Sequence, residues 1–589
     1  MSNMNSWELF FKVLQVVFLG AISCFILWVI ERRHQHGFFK RLGVPGPKPD
    51  LFWGNWTQLK RDRIQVMQEW ITKYGKVFGI YMGDKPHMVI TDTDMIKECF
   101  VKPSKIFQDR PMFFIDAEPF SSALTFLKGD KWRELRSLFN MCFTTSKVKD
   151  LFSAVDACTT KFVNKMDTLC RNGEPIDVYH HAHCLTLDTL AKTVLSWQVN
   201  FQMDEDNPTV TRLCTVFQQM DDTAIESVFA FPLLRAALRC VYPFTDFCKS
   251  MEKVSKDVLE VLNWRKSPSA PREKDVLQNL IDLQTTDEGA TEKTRRYARS
   301  LNESTLLANL IMLLAVGFDS TSSSLAFLLY LLAKHPEEQE NIRAEVLAKT
   351  KSLEVVKGDS DNKDHNKAPE HPPDIIKMLP EKEPSHRQET HKTHRRTSSQ
   401  IDPRAIDKTR PDDKVTGHCN KAQERPFNFN LEADDILGLG RLDLVVREGL
   451  RLYPALPVMI LRECAQDTTV SGQFIPRGTT LVAPPWHIHR DPNIWQNPDE
   501  FIPDRFANQS VQSSTYFPFG LGSHVCLGQR LAMLIMKTVL YKTIYKFELS
   551  LNAEDSGPLK LKVPGLLLNP VGALRVNFKP RSATCGRSL

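Results

Sequence analysis

Residues 304–336 read "STLLANLIMLLAVGFDSTSSSLAFLLYLLAKHP" and stay apolar for about eight helical turns. A helix that is apolar on every side is either enclosed by a large core or spans a membrane. The polar island Gly317-Phe318-Asp319-Ser320-Thr321 and the charged flanks point to the first case. The rest of the body must then be built around a buried central helix.

A second apolar run covers residues 9–30, "LFFKVLQVVFLGAISCFILWVI", and is long enough to cross a bilayer. Lys12 and Gln15 interrupt only its first turn. Arg32, Arg33, Lys40 and Arg41 come after it, so the positive flank places the remaining chain in the cytosol. A cleaved signal peptide would carry its basic residues before the run and a small-residue cleavage site after it, and neither is present. "VPGPKPD" over 44–50 reads as a stiff hinge.

After about Lys351 the composition shifts to Lys, Asp, Glu, His and Pro, and the tract holds six of the sixteen histidines. It has too little apolar surface to offset its ordering entropy and predicts a disordered insertion. His391 and His394 are read as solvated, and "RRTSS" resembles a basophilic kinase site at Ser398. The chain thus divides into an anchor over 1–30, a basic, proline-rich hinge over 31–50, a body over 51–350 and 431–580, the insertion over 351–430 and a tail over 581–589. Within the body, "KVFGIYMG" and "HMVITD" predict a strand pair among helices. Thirteen cysteines without a CxxC pair exclude a disulfide framework and a zinc ribbon. A net charge of +6 without a basic stripe excludes a nucleic-acid binder.

The stretch "FPFGLGSHVCLGQRLA" sets Cys526 between Gly522 and Gly528, ahead of the apolar run "LGQRLAMLIMKTVLYKTIYKF". A thiol at a helix N-terminus meets unsatisfied N–H groups, which favour thiolate. Glycines let the backbone bend and a flat ligand approach, and His524 can donate to an anion. A lone cysteine in such a place is more often structural, so the surrounding pattern has to decide.

Phe519-x-x-Gly522-x-His524-x-Cys526-x-Gly528 resembles the haem-binding loop of the cytochrome P-450 family. Three further motifs follow the family order. Glu448-x-x-Arg451 places a carboxylate and a guanidinium on one helix face, and the resemblance joins them to Arg505 of "PDRF" as a structural trio. Asp319 and Ser320, with Thr321, resemble the family's acid–alcohol pair over the distal haem face. Trp132-x-x-x-Arg136, with Arg110 and Arg462, resembles the propionate-binding set. "KYGKVFGIYMG" and "RECAQDTTVSGQFIPRG" look closest to the microsomal family-3 and thromboxane-synthase branch.

The resemblance implies a mainly α fold with small β-sheets (α+β), an N-terminal membrane anchor helix, and haem b bound through the Cys526 thiolate. It implies a monooxygenase of the endoplasmic reticulum membrane that uses O2, an apolar small-molecule substrate and an NADPH-dependent reductase. Asp319 would relay protons and Ser320 would offer a hydrogen bond at the oxygen site. Two alternatives stay open: an O2-independent lipid peroxide isomerase of thromboxane-synthase type, which needs no acid–alcohol pair, and a non-catalytic haem sensor or lipid carrier. Phe113, Phe114 and Phe120 are expected to line the pocket, residues 228–244 to form a membrane-side entry, and Lys131, Arg133 and Arg530 to form a proximal basic face.

Overall fold

The computed structural model describes residues 6–102, 104–111, 120–204, 207–218, 240–285, 301–364, 431–507 and 511–581. The charged tract over 365–430, Phe113, Phe114 and residues 219–239 lie outside them. The chain divides into two compact units, residues 1–347 with 431–589, and residues 348–430.

Helix α1 (Ser6–His36) exposes its apolar side chains, and none of its most hydrophobic window is buried. Attachment to the body begins at Trp28, whose ring lies 5.3 Å from that of Phe52, and continues at Arg32, which donates to the Leu51 and Phe52 carbonyls at 3.0 and 2.8 Å and faces Asp84 at 3.7 Å. One turn on, His36 Nε2 lies 2.9 Å from the Gly83 carbonyl. The proline-rich stretch is itself tethered, since the Gly79 N–H donates to Pro45 at 2.8 Å. Docking therefore starts ahead of the prolines.

The predicted strand pair forms. β1 (Val77–Met82) runs antiparallel to β2 (Lys85–Ile90). β3 (Ile460–Glu463) pairs antiparallel with β4 (Thr480–Ala483), and β4 lies parallel to β2, giving the order β1-β2-β4-β3. This register carries Arg462, opposite Leu481, into the interior.

Helices make up the rest of the core: α2 (Gly129–Cys142), α3 (Phe152–Leu169), α4 (Val178–Leu195), α5 (Glu303–Lys334), α6 (Gly440–Leu452) and α7 (Gln529–Lys546). Helix α5 is the expected central helix. Asn302 caps it by accepting from the Thr305 N–H at 2.8 Å, and it packs against α4, α6 and α7. Its apolar window is mostly enclosed by protein, which makes it a core helix rather than a span. The approach of α6 requires Gly449, because a Cβ there would sit 2.4 Å from Leu328 Cδ2.

One stripe of α5 breaks the enclosure. Met312, Leu313, Val316, Gly317 and Ser320 are partly or well exposed, with Val316 at 45%, while the residues around them are buried. Those spacings share one helix face. On a helix otherwise surrounded by protein, the stripe lines an interior cleft.

Candidate functional site

The thiol loop is folded by its own backbone. The Cys526 N–H donates to the Phe519 carbonyl at 2.8 Å, and the Gly520 N–H donates to Phe517 at 3.0 Å. Gly522 adopts φ +59°, and a Cβ there would lie 2.1 Å from the Phe100 carbonyl oxygen, so this turn needs glycine for two reasons. Gly528 meets nothing within 4 Å on its Cβ side.

Cys526 is exposed, yet burial is the largest influence on its thiol and pushes it up. A sulfur surrounded by protein but not covered by it opens onto an internal cleft. The amides of Gly528 and Gln529 and the cations Arg136 and Arg110 act the other way. The helix N-terminus does favour thiolate, as the sequence predicts, but burial outweighs it. A bound cation at the sulfur is what would restore the anion. Among the described residues no disulfide forms.

Three guanidinium groups converge beside the loop. Arg110 donates to the His524 carbonyl at 3.4 Å, Arg136 to Val525 at 2.5 Å, and Arg462 to Leu521 at 2.8 Å. Burial first, then Arg136, lowers Arg110 to about 10; burial first, then Arg110, lowers Arg462 to about 9. Among the described residues none of the three has a carboxylate partner, and Arg136 Nε is buried without a hydrogen bond. Clustered, desolvated cations of this kind call for an anion. A flat apolar molecule carrying two carboxylates and a metal that seeks sulfur fits the set.

Trp132 and His524 reach the same place from α2 and the loop. The rings stack with centroids 4.0 Å apart, and His524 Nε2 lies 2.5 Å from the Gln108 carbonyl. A carbonyl only accepts, so the ring proton sits on Nε2. Burial, then Arg110 and Arg462, lowers His524 to about 2. The neutral ring has no second N–H to offer an anion, unlike the sequence reading, in which His524 donates to one.

Glu448 and Arg451 are both fully buried. Arg451 Nε and Nη2 donate to the carboxylate at 2.8 and 2.9 Å, and Arg505 Nε joins at 2.9 Å. The link continues to the thiol loop through a residue the sequence did not single out. Arg451 Nη1 donates to the His489 carbonyl at 2.6 Å, and His489 Nε2 accepts from the Phe517 N–H at 3.0 Å.

On α5, Ser320 Oγ donates to the Val316 carbonyl at 2.8 Å, the local back-bond open to any helical serine. Ser320 lies on the exposed stripe, whereas Asp319 and Thr321 are buried. Asp319 turns toward α4, where its Oδ1 lies 2.8 Å from His183 Nε2. Gly317 packs close to Leu190, 3.0 Å from where a Cβ would stand, and α5 continues through it unbroken. Arg133 pairs with Asp130, and Arg530 donates to Phe143 at 3.3 Å. Phe120 begins a short turn at Phe120–Ser122. Val241 and Phe244 are exposed apolar residues at the end of the expected entry region.

The "Cytochrome P450" family model matches residues 44–359 and 417–575. "Cytochrome P450 3A7" of Homo sapiens is 28% identical over 563 residues, spanning 93% of this chain and 94% of that protein. "Cytochrome P450 3A29" of Sus scrofa is 26% identical over 566 residues, with 95% of each covered. "Cytochrome P450 3A5" of Homo sapiens is 27% identical over 558 residues, with 93% of each covered. A helical body with small sheets, an interior cleft lined by an open thiol and converging guanidinium groups, and these likenesses agree: the chain belongs to the cytochrome P-450 family of haem-thiolate monooxygenases.

Proposed function

We propose that Cys526 is the axial ligand and that the enzyme inserts one oxygen atom from O2 into an apolar small molecule such as a lipid, steroid or xenobiotic. One observation carries the reading: an open thiol in an interior cleft, beside three guanidinium groups that have no carboxylate partner among the described residues. When bound, the iron porphyrin supplies an electron-rich iron that activates dioxygen.

The chain's own residues do the rest. Arg110, Arg136 and Arg462 hold the propionates by charge-assisted bonds, and Trp132 and His524 form a stacked wall next to them. Phe519 fixes the cysteine through its carbonyl. The α5 stripe around Val316 shapes the substrate side. Ser320 exchanges its bond to Val316 for one directed into the cleft, Asp319 supplies protons, and the buried Thr321 packs behind them. Helix α1 anchors the protein in the endoplasmic reticulum membrane, with Val241 and Phe244 near the lipid. A reductase fed by NADPH docks on the side of Lys131, Arg133 and Arg530. Residues 351–430, of which the family match leaves out 360–416, are an insertion that the catalytic chemistry does not use.

The test is the absorption spectrum of the reduced, carbon monoxide-bound protein. The red-shifted thiolate band should be present and should vanish in Cys526→Ser. Product formation that requires NADPH and reductase supports monooxygenation. Turnover of a lipid endoperoxide without either would instead establish the isomerase.

A further inference from the structure

We propose that His183 and Asp319 form a buried proton store and that His183 reloads Asp319 during turnover. The inference deepens the monooxygenase reading above and rests on it. Both ring nitrogens of His183 face acceptors: Nδ1 lies 3.0 Å from the Tyr179 carbonyl, and Nε2 lies 2.8 Å from Asp319 Oδ1. A carbonyl cannot donate, so Nδ1 carries a hydrogen. The second contact also needs one, because two lone pairs repel at that distance. The pair therefore holds two protons over three sites, one on Nδ1 and one between Nε2 and Oδ1. A neutral imidazole beside a carboxylate would hold only one.

The surroundings suit storage. His183 and Asp319 are 7% and 3% exposed, and the Phe318 ring lies 4.8 Å from the imidazole. Among the described residues, the other titratable groups facing the pair are the Tyr179 phenol on α4 and the Cys214 thiol on the helix Pro208–Gln218. Burial, then Asp319, pushes both up, Cys214 to about 12. Neither competes for the proton. Asp319 Oδ2 is buried with no hydrogen bond of ordinary geometry, an exception for a buried carboxyl oxygen, although the Tyr179 phenol approaches the same carboxylate. It is the oxygen free to present a proton, and the next residue, Ser320, lies on the open stripe.

Each turnover converts substrate, O2, two electrons and two protons into hydroxylated product and water. In the proposed step the stored proton passes from Nε2 to Oδ1, and the carboxyl group turns and gives up a proton toward the cleft as Asp319 becomes carboxylate. The emptied pair then opposes the Nε2 and Oδ1 lone pairs, which draws in the next proton from solvent.

The experiment compares His183→Phe, His183→Gln and Asp319→Asn in the full-length, haem-loaded enzyme. Product is measured with NADPH, reductase and O2, and again with iodosylbenzene, which delivers an oxygen atom without protons. We expect His183→Phe to lose about tenfold or more of the NADPH-driven product, with a larger share of peroxide, while the iodosylbenzene-driven product holds within about twofold. His183→Gln, which restores one donor to Asp319 but cannot carry the extra proton, should show the same split. In the resting wild-type protein labelled with 15N-histidine, the His183 resonances, assigned by their loss in His183→Gln, should report a protonated Nδ1 and an Nε2 that shares a proton. Equal loss in both reactions, no loss in either, or a bare Nδ1 would overturn the store. Absence of the thiolate band from the wild type would overturn the underlying reading instead.

Discussion

Trp132 and His524 lie face to face, with ring centroids 4.0 Å apart and planes within 19° of parallel. One ring comes from α2 and the other from the thiol loop, so the stack is a clasp across the site. Trp132→Phe keeps an aromatic face and should cost about 1 kcal/mol, whereas Trp132→Ala also opens a cavity and should cost about 3–5 kcal/mol. Thermal unfolding of the apoprotein measures the cost. Transfer of haem to apomyoglobin should be fastest from Trp132→Ala.

The three converging arginines lead to a prediction with two opposite signs. Burial and then Arg136 lower Arg110, and burial and then Arg110 lower Arg462. Removing one cation should relieve the apoprotein and weaken the loaded site. Arg110→Leu is expected to unfold at the same or a higher temperature without haem, yet to bind haem about tenfold or more weakly. A variant that loses apoprotein stability while holding haem normally would show that these cations serve the fold alone.

Glu448 tests a buried charge network. Its carboxylate takes bonds from Arg451 and Arg505 and from the Ile502 N–H at 2.9 Å. Glu448→Ala strands a fully buried guanidinium and should cost about 3–5 kcal/mol. The exposed pair Glu98–Lys102 provides the contrast, since Glu98→Ala should change stability by less than about 1 kcal/mol. Urea unfolding of both variants decides whether burial governs the difference.

What the sequence could show depended on how local each signal was. Glu448 and Arg451 are three residues apart on one helix, so their pairing was readable, as was the central helix from its unbroken apolar run. The β1–β2 pair was readable for the same reason. His183 lies 136 residues from Asp319, and no spacing rule links them. His489 was hidden because its role is split between a carbonyl that serves Arg451 and a ring nitrogen that serves Phe517. The open stripe of α5 was invisible as well. Met312, Leu313 and Val316 are as apolar as their buried neighbours, and only packing shows which face is left uncovered. At Cys526 the helix-terminus argument had the right sign but could not weigh burial against it.

Acid should destabilise the fold through buried histidines. Burial lowers His87 and His487 to about 4 and His489 to about 3. Their folded values lie below the unfolded value near 6.5, so their contribution is fully present above that value and is lost as pH falls toward 4. Over this window the unfolded chain binds protons that the folded chain refuses, at about 1.4 kcal/mol per pH unit for each histidine. The urea midpoint should be flat from pH 8 to 7 and fall steeply from 6.5 to 5. His87→Gln should make the fall shallower, and a wild-type midpoint unchanged down to pH 5 would contradict the assignment.

Two glycines of the thiol loop, alike in the sequence, should respond differently to one added methyl group. Gly522 stands at φ +59°, and its Cβ would meet the Phe100 carbonyl at 2.1 Å, a backbone atom that cannot swing aside. Gly528 has an ordinary φ of −82° and open space on its Cβ side. Gly522→Ala must therefore push the loop away from Phe100 and carry Cys526 with it, at a cost of about 1–3 kcal/mol or more. Gly528→Ala should leave apoprotein unfolding within about 0.5 kcal/mol of wild type. The reduced, carbon monoxide-bound spectrum gives the functional reading, because a displaced sulfur in Gly522→Ala should shrink the thiolate band in proportion to the lost geometry. Equal apoprotein stability in the two variants would mean that the loop does not lean on Phe100 as the structure has it.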